Sequence, residues 1–335
     1  MGTREASHAG SWYEGDPSKL SRQLDEFLAR VPETLDNSSL PIPGARVIIA
    51  PHAGYSYSGP CAAWAYKALD LSAAKRVFVL GPSHTYFLRG CALTTFDKYE
   101  TPFGDLIVDK STTNELKQTG RFSNMPPQRD VDEHSLEMHL PYLWKRLEQT
   151  FGDDASKFPP IVPILVGEGS AEQEKSVGQM LAPYLKDPQN AFIVSSDFCH
   201  WGSRFSYRPQ YTNGAVRNLD SRGSGGDLGV NPEVLEKEAG AQPPIHEVIR
   251  VLDEMAMDAV KTGDHSTFYK TVQETENTVC GRHPIGVVVA GLGVLASEGL
   301  ESGKGKFNFV QYQRSNLVKR TSDFSVSYAS AYAII

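Results

Sequence analysis

The chain has no long apolar run, no block of basic residues and only four cysteines among its 335 residues. Each scarcity excludes something. Without an apolar stretch of about 20 residues, no membrane-spanning helix is expected. No basic-then-apolar segment opens the chain, so no secretory signal is expected either. Gly2 follows Met1, but Ala6 stands where a myristoylation signal needs Ser or Thr. The net charge of −7 is spread along the chain, which argues against nucleic acid or an anionic membrane as partner. Four cysteines cannot staple a chain of this length. They are expected to be reduced thiols in a cytoplasmic or nuclear protein, open to metal or redox roles.

Hydrophobic residues make up 40% of the chain and charged residues 22%, an ordinary globular composition with enough apolar mass for a sizeable core. Strand-like and helix-like segments alternate. "SKLSRQLDEFLARV" has helical spacing after Asp16 and Pro17, and "ARVIIA" is β-rich. "CAAWAYKAL" reads as helix, "RVFVL" as strand, "EQEKSVGQMLAPYL" as helix and "AFIVSS" as strand. "IVPILVG" reads as a strand that Pro163 pushes towards an edge or a bulge. "HEVIRVLDEMAMDAVK" is an amphipathic helix, and "PIGVVVAGLGVLAS" is an apolar one opened by Pro284. "KFNFVQYQRS" and "FSVSYASAYAII" alternate and close the chain as antiparallel strands. The expected fold class is α/β, a single-domain αβα sandwich with a mixed central sheet over residues 1–335. Residues 209–244 break the pattern. They are rich in Gly, Pro, Asn and Ser, and a surface insertion poor in core residues is expected there.

Three strand-like segments run directly into histidine: "RVIIAPHAG" into His52, "RVFVLGPSH" into His84, and "AFIVSSDFCH" into Asp197 and His200. Parallel strands share one C-terminal edge, and ligands bind beyond it. Residues far apart in sequence can therefore converge there. Converging imidazoles suggest a metal, with a carboxylate or thiolate completing the set. Cys280, in "NTVCGRHPIG", is the leading thiol. It precedes a helix and lies beside Arg282 and His283, a setting that favours thiolate. Cys199 is expected to pack against its neighbours, and Cys61 and Cys91 to lie in the core.

A second cluster is "DVDEHSLEMHLPYL", where Asp130 or Asp132 is placed to cap a helix. His134 and His139 are five apart, not the four of two ligands on one helical face, and Pro141 should disturb that helix. For His134 and Glu137, a role supporting the metal ligands and a purely structural role are equally open. "EASHAGSWY" offers His8, Trp12 and Tyr13 as pocket-lining or packing residues.

"REASHAGSWY", "IIAPHAGYSYSG", "LGPSH", "DEHSLEMHLPY", "SSDFCHWG", "NTVCGRHPIGV" and "SVSYASAY" resemble, in order, the signature segments of the Memo family. That family is named for a mediator of receptor-driven cell motility in animals. The resemblance covers almost the whole chain and fails chiefly over 209–244. It implies a fold like that of class III extradiol dioxygenases, with metal ligands on His52, His84 and Cys280. Asp197 and His200 would stand beside them as catalytic groups, with Trp12 and Tyr57 at the pocket rim. It implies copper or iron as cofactor, a redox role, and a pocket that takes a phosphotyrosine peptide. Ring-cleaving dioxygenases hold iron on two histidines and a carboxylate. Here Cys280 stands at the third position, which argues against ring cleavage and for a softer metal.

Three functions follow as expectations: a metal-binding redox protein with a signalling role; a phosphopeptide-binding adaptor using a vestigial active site; and a metal-dependent dioxygenase or hydrolase, for which zinc is also admissible. Arg282 and Arg204 are the nearest cations for peptide capture.

Overall fold

A computed structural model describes residues 2–35, 37–220 and 226–335. The main strands are β1 (Ala45–Ala50), β2 (Arg76–Pro82), β3 (Cys91–Leu93), β4 (Phe122–Asn124), β5 (Ile161–Val166), β6 (Asn190–Ser195), β7 (His200–Trp201), β8 (Pro209–Thr212), β9 (Ala215–Asn218), β10 (Phe307–Arg314) and β11 (Ser325–Ile334). The main helices are α1 (Pro17–Ala29), α2 (Tyr55–Ala68), α3 (His134–Glu137), α4 (Leu140–Phe151), α5 (Ala171–Lys186), α6 (Pro232–Ala239), α7 (Ile245–Lys261), α8 (His265–Thr275) and α9 (Arg282–Ser297).

Among the described residues, nine strands form the central sheet in the order β7-β11-β1-β6-β2-β5-β3-β4, with β10 on β11. β1, β6, β2 and β5 are parallel neighbours, whereas β11 pairs antiparallel to β1 and β3 antiparallel to β5. The sheet is therefore mixed. Its strands alternate between two cores, as a period of two requires. Ile48, Ala50, Val77 and Val79 pack with Leu24 of α1 and Tyr66 of α2. Val47, Ile49, Phe78 and Leu80 pack with Leu181 of α5 and Val288 of α9 on the other face. Helices thus cover both faces, and the αβα architecture stands.

Pro163 sits inside the sheet, on β5 between β2 and β3, and not at an edge. The register explains why it is tolerated. The carbonyls of Pro160 and Val166 accept from β2-side amides, so even-numbered residues of β5 turn their polar groups that way. Pro163 turns its missing donor towards β3, whose pairing begins only at Ile164.

The 209–244 segment differs from its expectation. Residues 221–225 lie outside the described residues. The rest includes the β8–β9 hairpin and α6. Val216, Leu228, Val230 and Leu235 are buried with Trp201, Tyr207 and α7 residues such as Ile249 and Leu252. Gly and Pro content hid a small set of core anchors. No described helix is long and apolar enough to cross a membrane.

Candidate metal centre

β1 ends at Ala50 and β2 at Pro82, so His52 and His84 leave the same edge of the sheet two residues beyond their strands. β6 ends at Ser195, and Asp197 follows it at that edge. Cys280 arrives from elsewhere, two residues before α9. One ligand atom from each of His52, His84 and Cys280 lies within 4.8 Å of the other two. His52 Nε2 is 3.2 Å from Cys280 Sγ. Donors bound tetrahedrally to one ion stand roughly 3–4 Å apart; the His52–Cys280 pair falls in that range, and His84 lies within 4.8 Å of both.

Each imidazole is held in one tautomer from behind. The Ser195 hydroxyl donates to the Ser135 carbonyl at 2.7 Å. It therefore accepts from His52 Nδ1, 2.6 Å away. His52 Nε2 is left as a lone pair facing the thiol. His84 Nδ1 lies 2.9 Å from the Glu133 carboxylate, which also accepts the His84 backbone N–H at 2.7 Å. Burial alone would raise the Glu133 carboxyl. The His84 hydrogen bond and the His84 and His134 imidazoles outweigh burial and hold it down at about 2. A carboxylate only accepts, so His84 Nδ1 donates and Nε2 is the nitrogen left to face the cluster. Carboxylate and hydroxyl supports of this kind orient metal-binding histidines. Burial and the neighbouring His84 push His52 well below its ordinary value, which keeps it neutral. The donor set, two imidazole nitrogens and one sulfur, fits a borderline or soft transition metal.

The remaining expected residues fall around this cluster. The buried Asp197 carboxylate accepts the backbone N–H of His52 at 2.8 Å, so it fixes the loop that carries this candidate ligand and is not itself one of the three clustered groups. Burial raises its carboxyl, opposed by His200. His200 points Nδ1 at the carbonyls of Phe198 and Thr278, 2.8 and 3.1 Å away, which leaves its Nε2 free. His134 stacks on His84 with ring centres 4.3 Å apart and meets Trp12 at a tilt, with centres 4.5 Å apart. Burial and the like charge of His84 push His134 down to about 3. Glu137 is buried further back, binding Arg4 at 2.7 Å, His8 and Tyr13 at 2.8 Å. It fixes the N-terminal segment whose Trp12 reaches the site. Trp12 and Tyr57 line a cavity of about 470 Å³ with Arg204, Phe324 and Tyr328.

Three expectations are corrected. The Cys280 thiol is pushed up, not down, by burial and then by Asp197. Arg282 turns away to Glu168 at 3.0 Å and His283 to Glu174 at 2.6 Å, so neither charge favours the thiolate. Glu133, not Asp130 or Asp132, caps α3 by accepting the Ser135 N–H. Asp130 is instead buried on Thr94, Tyr99 and Arg4. His139 lies in the core on Tyr66 at 2.8 Å, and Pro141 opens α4 without disturbing α3. Cys199, Cys61 and Cys91 are buried as expected.

Sequence reasoning missed Glu133, Ser195 and Ser135 as the supports of the two histidines. The only available signal was the Ser195 position directly at a strand end.

The model of the family described as "Memo-like protein" matches residues 4–332. The chain is 42% identical to "Protein MEMO1" of Xenopus laevis over 332 residues, covering 99% of this chain and 97% of that one. It is 41% identical to "Protein MEMO1" of Homo sapiens over 327 residues, covering 98% and 96%. The solved structure of an uncharacterised protein from Escherichia coli K12 aligns with 84% of this chain and 98% of its own at 13% identity. Its TM-score of 0.39 is too low to bear on the fold. With a family model spanning nearly all of its length and relatives above 40% identity at almost full coverage, the chain belongs to the Memo family.

Proposed function

We propose that the chain is a copper- or iron-binding redox protein on a dioxygenase-like scaffold, with the metal held by His52, His84 and Cys280. One observation carries the reading. Two imidazoles on different strands are locked by Ser195 and Glu133 so that their free nitrogens converge on one sulfur. The convergence on the sulfur, more than the lock itself, is what a purely structural histidine would not need. A thiolate in the set favours copper(I) over harder ions. Zinc fits the donors but brings no one-electron chemistry. A bound copper or iron would supply that chemistry.

The chain's own groups would do the rest. The Asp197 carboxylate positions the His52 loop. His200 keeps a free Nε2 for proton transfer beside the site. Burial of His52 limits access by water on its side of the site, while His84 and Cys280 stay accessible from the cavity. Reduced, unpaired cysteines suit a cytoplasmic or nuclear setting, where a signalling role would be exercised.

The test is elemental analysis of protein purified without affinity metal, then anaerobic titration with copper(I) and iron(II). The reading expects one tight site, lost in His52→Ala. Weak binding that survives His52→Ala would contradict it.

A second reading, peptide capture, is favoured by Arg204. Its guanidinium lies over the Phe324 ring at 3.8 Å in the cavity shared with Trp12 and Tyr57. A phosphotyrosine ring and phosphate would suit those neighbours. Binding of such a peptide unchanged by chelation, and lost in Arg204→Ala, would support it.

A further inference from the structure

β5 ends at the same sheet edge as β1 and β2, and the turn after it carries Glu168, which the metal ligands do not use. The Glu168 backbone is fixed. Its N–H donates to the Leu88 carbonyl at 2.8 Å, and its carbonyl accepts from Gly90 at 3.0 Å. Its side chain is 56% exposed. The carboxylate lies on a two-pronged fork. Arg282 Nη2 is 3.0 and 3.1 Å from its two oxygens, and His283 Nε2 is 3.1 Å from one of them.

The fork is braced from behind. His283 Nδ1 lies 2.6 Å from the buried Glu174 carboxylate, whose other oxygen lies 2.6 Å from His265 Nε2. Glu174 fits only because residue 286 is glycine, since a Cβ there would collide with its carboxylate. A buried carboxylate is costly unless paired. Here the pairing fixes one imidazole at the wall of a cavity.

That cavity holds about 260 Å³. Arg282, His283 and Glu168 form one wall, His84 and Cys280 a second, and Tyr86, Leu88 and Val166 an apolar third. We infer that it is a binding site for a small carboxylate with an apolar body, and that Glu168 is its built-in competitor. Arrival of the ligand requires only rotation of the Glu168 side chain into solvent. The ligand carboxylate takes over Arg282 and His283, a fork that matches its planar pair of oxygens. The apolar body lies against Tyr86, Leu88 and Val166. The site stands whether or not His52, His84 and Cys280 hold a metal.

The experiment uses metal-free, full-length protein, so that coordination plays no part. Benzoate is titrated calorimetrically into wild type, Glu168→Gln, Arg282→Met and the double variant, with benzamide as the uncharged probe. Both side chains are solvent-accessible, so thermal melts should stay close to wild type. Glu168→Gln should bind benzoate about tenfold more tightly than wild type, because the competitor has lost its charge. Arg282→Met should remove that gain in the double variant, and benzamide should not bind. In Glu168→Gln, benzoate should also shift the His283 ring resonances. Equal affinity of wild type and Glu168→Gln would overturn the inference, as would benzoate binding that survives Arg282→Met, benzamide binding as well as benzoate, or unmoved His283 resonances.

Discussion

His84 and His283 face the same cavity from different walls, with similar support and different freedom. Each gives Nδ1 to a buried carboxylate, Glu133 at 2.9 Å for His84 and Glu174 at 2.6 Å for His283. They part at the second nitrogen. His283 Nε2 meets another carboxylate, Glu168. His84 Nε2 is left to the group that contains His52 Nε2 and Cys280 Sγ. A carboxylate behind an imidazole therefore does not by itself mark a metal ligand. What the other nitrogen faces decides: lone pairs gather around a cation, whereas a carboxylate closes an ion pair.

The comparison is most open to breaking at the imidazoles themselves. His84→Ala or His52→Ala should lower copper(I) affinity by more than the roughly 10–100-fold that loss of a supporting contact costs. His283→Ala should leave it unchanged. Competition titrations against a copper(I) chelator read all three, and equal losses would erase the distinction.

The supports come next. Glu133→Gln should cost about 10–100-fold in metal affinity by loosening His84. Glu174→Gln should leave affinity alone and lower stability by about 1–3 kcal/mol, because its buried imidazole partners lose charged hydrogen bonds. Chelator competition and thermal melts on the same two proteins separate these outcomes.

The smallest expected effect is at the thiols. Burial pushes Cys61 and Cys91 up to about 12. Raised values leave these thiols protonated well above neutrality. At pH 7.5 fewer than about one in ten thousand is thiolate, so both should resist iodoacetamide in the folded protein. The Cys280 thiol is raised as well, but it is only half-buried at the cavity wall, so it should be labelled slowly in metal-free protein, faster than Cys61 and Cys91, and be protected when metal is bound. Mass spectrometry after a timed reaction checks this.

The strand-end histidines were legible because a parallel sheet carries its strand ends to one edge, whatever their separation in sequence. Helices and strands were legible from period and caps, as at Asp16 and α1. The supports were not. The Glu133 side chain reaches His84 across 49 residues and the Ser195 hydroxyl reaches the Ser135 carbonyl across 60, and side-chain direction over such spans is set by packing. The Cys280 setting misled for the same reason. Arg282 and His283 are its neighbours in sequence, but Glu168 and Glu174 draw their side chains away. In the 209–244 segment, abundant Gly and Pro masked Val216 and Leu235, which find their partners only once α7 is in place.

The central claim is that two imidazoles and one thiolate hold a single metal ion. X-ray absorption at the copper edge tests it most directly, on anaerobic protein loaded with one equivalent of copper(I), in wild type and Cys280→Ser. The account predicts nitrogen neighbours near roughly 2.0 Å and one sulfur near roughly 2.3 Å, with the sulfur signal gone in Cys280→Ser. A sulfur neighbour that persists in the variant, or a wild-type shell without sulfur, would contradict it.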